Sequence, residues 1–154
     1  MIEPYTLLKF VHVAAVIIWI GGTGALGIVT ARLANERDRA AVGTLVAHAA
    51  FYGRVIIAPA AVVTLLAGMA AAMRVGISLG TPWITWGFVA ILLSLLLGAF
   101  PLRLTNATLG RLAVAAVPEA GRLSAARRQL VILTLVNLLL LLSAVWAMVA
   151  KPVL

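Results

Sequence analysis

The chain has 154 residues, 64% of them hydrophobic and 10% charged, against about a quarter charged in ordinary soluble domains. No water-soluble core of this size could hide so much apolar surface, so the composition excludes a soluble globular fold and points to a lipid bilayer as the partner. Twelve Lys and Arg outweigh four Asp and Glu, and on a membrane chain such an excess reports orientation, with no nucleic-acid partner implied. Cysteine is absent, which removes disulfides, thiolate metal sites and cysteine redox chemistry.

About 20 apolar residues, rising about 1.5 Å each, cross a hydrocarbon core of about 30 Å. Four segments meet that requirement, at 10–31, 55–73, 83–102 and 130–150. The expected fold is all-α: a four-transmembrane-helix bundle of two hairpins, forming one integral membrane domain over 1–154. The first span outruns the h-region of a cleavable signal peptide and lacks a cationic leader, so it is expected to remain in the mature protein.

In the first span Tyr5, His12 and Trp19 recur every seven residues, beside a stripe of Lys9, Val16, Thr23 and Thr30. One face of this helix is therefore polar and aromatic. Polar groups at membrane depth are costly unless they face the bundle or a wet cavity, so His12 and Trp19 are expected to point inward. Gly22, Gly24 and Gly27 fit the dinucleotide pattern G-x-G-x-x-G, but no strand precedes them and no aqueous helix N-terminus is available for a pyrophosphate. Gly21, Gly24, Ala25 and Gly27 read instead as a surface for close helix approach.

The connection 32–54 is long enough for a helical extension. Hydropathy starts the second span at Val55 and leaves His48, Tyr52 and Arg54 at the interface. The other arrangement, one tilted helix over about 40–73, would carry Arg54 towards Trp19 and make it a candidate for an anionic group such as a haem propionate or a lipid phosphate. His12 and His48 fall about 13 residues, or about 20 Å, apart in depth and cannot share one iron. Met69 and Met73, with Met148 of the fourth span, reach the depth of His12. Imidazole and thioethers suit Cu(I), and a His/Met pair also ligates haem iron. The plainer reading has the methionines filling gaps and His12 bonding a neighbour.

A tight turn over 75–82 leads to the third span, and Pro118, Glu119 and Gly121 interrupt the connection 103–129. Asn106-Ala107-Thr108 matches a glycosylation acceptor but falls on the expected cytoplasmic side. Asn137 and Thr134 of the fourth span are expected to clip helices together. Nine arginines flank the two long connections, whereas Lys9, Arg74 and Lys151 lie opposite. That bias puts the connections in the cytoplasm and both termini outside, in agreement with Tyr5, Trp83, Trp86 and Trp146 gathering at the outer ends.

Leu7-Leu8-Lys9-Phe10-Val11-His12 with Trp19-Ile20-Gly21-Gly22, Arg54 ahead of Ala58-Pro59-Ala60, Pro82-Trp83 and the terminal Trp146-Ala147-Met148-Val149-Ala150-Lys151-Pro152 run nearly end to end. In these residues the chain resembles the bacterial integral membrane proteins of domain-of-unknown-function family 2269. The resemblance implies a four-helix membrane fold in the cytoplasmic (inner) membrane and no established activity. The first helix alone is also similar to that of copper resistance protein D and of membrane-bound protoporphyrinogen oxidase, which implies His12 as a haem or copper ligand.

The resulting expectation is a small membrane protein that binds haem b or copper near its outer face for redox chemistry or metal handling. His12, Met69, Met73 and Met148 would be its metal ligands, and Trp19 and Arg54 would shape the cofactor pocket. The alternatives are a non-catalytic accessory subunit of a homo-oligomer or larger membrane complex, and a small transporter or channel. Glu3, Glu36, Asp38 and Glu119 all lie outside the spans, so no intramembrane acid/base pair is expected.

Overall fold

Four long apolar helical rods build the protein, as a computed structural model that describes residues 3–33, 39–113, 115 and 120–151. The first rod is α1 (Pro4–Leu33). The second is α2 (Arg39–Tyr52), a π-helical turn (Gly53–Ile57) and α3 (Ala58–Arg74), without interruption. The third repeats this plan as α4 (Pro82–Leu97), a π-helical turn (Gly98–Leu102) and α5 (Arg103–Ala113), and the fourth is α6 (Ala120–Ala150). There is no strand among the described residues.

The rods are longer than the apolar segments alone suggest. Helix suited to a membrane runs over Pro4–Thr30, Thr44–Arg74, Pro82–Leu112 and Gly121–Ala150. Of the two arrangements for the second span, the structure has the continuous helix, because the Ala- and Leu-containing stretch before Arg54 propagates helix as readily as the span itself. A rod of 31 residues is about 46 Å long, against a hydrocarbon core of about 30 Å.

Neighbouring rods are antiparallel, as their contacts show. His12 of α1 meets Thr64 and Gly68 of α3, Gly24 and Gly27 meet Leu138 and Thr134 of α6, and Trp86 of α4 bonds Ser143 of α6. Pro4, Arg74, Pro82 and Ala150 therefore gather at one end, called here the terminal end. A Schellman cap closes α3 there: Ile77 N–H donates to Ala72 O and Gly76 N–H to Met73 O, with Gly76 at φ 71, a conformation that costs glycine little. Thr81 then turns the chain in extended conformation into Pro82 at the start of α4.

The rods change partners along their length. Near the terminal end α3 packs on α1 and α4 on α6, while α3 and α4 barely touch despite their short connection. Towards the other end α2 packs on α5, and α5 also packs on α6. The second and third rods thus diverge at the terminal end and converge at the arginine-rich end, and both π-helical turns fall where the change occurs. Two cores mark the two halves: Trp19, Ala60, Ala61, Ile91 and Leu141 in one, and Leu109, Ala126 and Leu130 in the other. Large side chains such as Phe10, Ile17, Val62, Leu92 and Leu139 are exposed on the outside, where a bilayer would cover them.

Candidate functional site: an intramembrane chamber

Between the two cores lies a half-open chamber of about 510 Å³, within the range of small-molecule sites. Its wall draws on all four rods. Trp19, Thr23, Gly27 and Thr30 come from α1, Ser94 and Leu95 from α4, and Leu130, Thr134 and Asn137 from α6. Gly53, Arg54 and Ile57 of the first π-helical turn, Gly98 and Ala99 of the second, and Arg103 and Asn106 of α5 complete it.

Both π-helical turns have a local cause in sequence. Ala58 N–H donates to Gly53 O, one residue further back than in an α-helix, and the next residue, Pro59, has no N–H to offer Val55. In the second turn Pro101 lies inside the segment and cannot donate to Leu97. A missing donor together with the ring's clash on the preceding turn makes a wider turn the cheaper local solution. Gly53 and Gly98 open these turns, and a Cβ at either would meet nothing within 4 Å. The backbone itself forms part of the chamber wall.

The chamber is apolar for most of its surface and polar at chosen points. Asn137 is 3% exposed and its Oδ1 has no hydrogen-bond partner within the protein. The buried Thr23 Oγ1 and Asn106 Oδ1 are likewise unpaired. An unpaired buried polar atom costs about 1–3 kcal/mol, and three of them border one space. Arg54 and Arg103, exposed residues that also line the chamber, bring two guanidinium groups. No carboxylate lines it among the described residues.

The sequence-derived candidates separate into two places. Trp19 and Arg54 share the chamber. His12 lies one core away, towards the terminal end: its Nδ1 is 2.8 Å from Thr64 O, and its ring fills the notch at Gly68, where a Cβ would lie 2.7 Å from Cε1 and Nδ1. Donation from Nδ1 to a carbonyl leaves Nε2 as the ring's acceptor. Met69 and Met148 are half-buried and Met73 is 63% exposed, while the terminal methyl of Met148 sits in the notch at Gly87 of α4. No group of three or more His, Cys, Asp or Glu is placed to hold a metal ion among the described residues. His48 is exposed on α2, and Tyr52 beside it packs edge-on against Phe51.

Thr134 behaves as the sequence suggests, its side chain pressed into the α1 surface at Gly27, but Asn137 faces the chamber with its carbonyl oxygen unpaired. Arg103, Asn106, Thr23 and Ser94 were not singled out as site residues. The available signal was the arrangement Gly53 to Pro59 and Gly98 to Pro101, two prolines with nearby glycines midway along neighbouring rods.

Lipid-facing rods around a polar-edged chamber define a four-span integral membrane protein. Residues 6–152 match the family model described as "Predicted integral membrane protein (DUF2269)", and the chain belongs to that family. Among curated proteins and among solved structures none matches it.

Proposed function

We propose that this protein is a membrane-embedded binding protein, seated in a bacterial cytoplasmic membrane, whose chamber takes up a small molecule. The observation that carries this reading is the convergence of unpaired Asn137, Asn106 and Thr23 oxygens with Arg54 and Arg103 on one cavity between two packed cores. Unpaired groups of this kind are expensive in a purely structural role. The test uses Gly98→Phe, since the position has ordinary helical φ of −67° and open space beside it. Native mass spectrometry from detergent should find a stoichiometric small-molecule adduct on the parent protein and none on Gly98→Phe. A parent without any adduct, even when offered membrane extract, would sink the reading.

A second reading, haem or copper near the terminal end, is favoured by one feature of His12. Its Nδ1 is anchored on the Thr64 carbonyl, the arrangement by which metal-binding histidines fix their tautomer and turn Nε2 to the metal. Bound there, such a metal would supply one-electron chemistry. Among its described lining residues the chamber offers no histidine or methionine, and Met148 is engaged at Gly87, so further ligands would have to come from a partner or from Met69 and Met73. Absorption spectra and metal analysis of the parent and His12→Ala decide it: a Soret band or stoichiometric copper lost in the variant supports the reading, and equal content in both defeats it.

A further inference from the structure

We infer that the chamber recognises a single-chain amphiphile by an oxyanion head, a carboxylate or phosphate monoester, held at Arg54 and Arg103 with its tail against Trp19; this rests on the chamber being a ligand site. Depth is the first support. Arg54 lies about 30 Å of helix from Arg74, and Arg103 about 30 Å from Pro82. With the terminal end at one membrane surface, both guanidinium groups stand at the opposite headgroup boundary. Trp19, Ser94 and Asn137 lie about 20 Å from the terminal end on the same scale. The chamber thus begins among headgroups and ends near the middle of the hydrocarbon, as a lipid-like molecule does.

Charge and polarity are the second support. Two arginines line the chamber with no carboxylate among its described lining residues, and a planar guanidinium matches a carboxylate or phosphate by paired donors. Deeper in, the wall is Trp19, Ile57, Ala58, Ala61 and Leu95, with Ser94 and Asn137 as its polar points, which offers an alkyl tail a mostly apolar slot and an aromatic face. On the same scale Asn106 lies about 36 Å from the terminal end, on the headgroup side of Arg103, and Asn137 level with Trp19, and each amide presents either its oxygen or its NH2 group by turning over. A neutral hydrocarbon would leave the two guanidinium groups without an anion, and a free inorganic anion would leave the apolar wall unfilled.

Trp19 provides the readout. A protein with Trp83→Phe, Trp86→Phe and Trp146→Phe retains Trp19 as its one indole and is titrated in non-ionic detergent, at mildly alkaline pH, with a mid-chain brominated stearic acid. The alcohol of the same brominated chain and inorganic phosphate serve as the other probes. Quenching of Trp19 by the acid should saturate at a concentration about tenfold below that for the alcohol, the size of one weak charge-assisted hydrogen bond. Arg54→Gln with Arg103→Gln should remove that advantage for the acid alone, and Arg54→Lys with Arg103→Lys should restore part of it. Both arginines are exposed, so neither substitution opens a cavity in a packed core. Equal quenching by acid and alcohol, unchanged in the Gln variant, would overturn the oxyanion head and leave the chamber as a ligand site. Displacement of the acid by equimolar phosphate would assign the site to a free anion and overturn the amphiphile. No saturable quenching by either chain would overturn both.

Discussion

At the scale of single residues, the glycines of α1 are not equivalent. A Cβ at Gly27 would run into the Thr134 side chain, one at Gly24 would rest 3.5 Å from Leu138, and one at Gly21 would meet nothing within 4 Å. The close approach expected of all these glycines is therefore concentrated at Gly24 and Gly27, where α1 crosses α6. Without a hydrophobic drive between helices in lipid, such backbone approaches carry much of the packing energy. Gly27→Ala should cost about 1–3 kcal/mol by overpacking, read as a lower SDS midpoint in reversible denaturation. Thr134→Ser, which removes the clashing methyl, should restore most of that loss in the double variant, whereas Gly21→Ala should leave the midpoint unchanged. Equal effects at Gly21 and Gly27 would mean that the contact is not the cause.

At the scale of helices, the rods were legible in the sequence and their shape was not. Hydropathy is a local sum, so spans near 10–31, 55–73, 83–102 and 130–150 follow from residues read one window at a time. Pro59 and Pro101 were visible too, but in a membrane the same residues that end a soluble helix are accommodated within it. Here each accompanies a widened turn, and the second and third rods continue past Arg54 and Arg103. Trp19 and Arg54 were readable as a pair only in the arrangement that hydropathy disfavoured. The chamber depends on pairing between rods: Thr23 was visible only as part of the polar stripe of the first span, and Ser94 and Asn106 carry no site signature until four helices bring them to one wall. His12 was legible as inward-facing because a buried imidazole needs a partner, and Thr64 O supplies it.

At the scale of the whole molecule, the decisive quantity is which end faces the cytoplasm. The terminal end carries Trp83, Trp86 and Trp146, with Lys151 Nζ 5.9 Å from the centre of the Trp83 ring, and it holds few positive charges. The opposite end holds Arg32, Arg54, Arg103, Arg111, Arg122, Arg127 and Arg128. Positive residues beside spans are retained on the cytoplasmic side during insertion, so the chamber mouth at Arg54 and Arg103 should open towards the inner leaflet, where anionic lipid is in contact with the cytoplasm. Because the chain has no cysteine of its own, single cysteines at Gly80 and Gly121, both exposed, report each end without background. An impermeant maleimide added to intact cells should modify the Gly80→Cys protein and spare Gly121→Cys, which should react only after the membrane is opened. The reverse pattern would put the arginines outside, and the chamber would then draw its ligand from the outer leaflet.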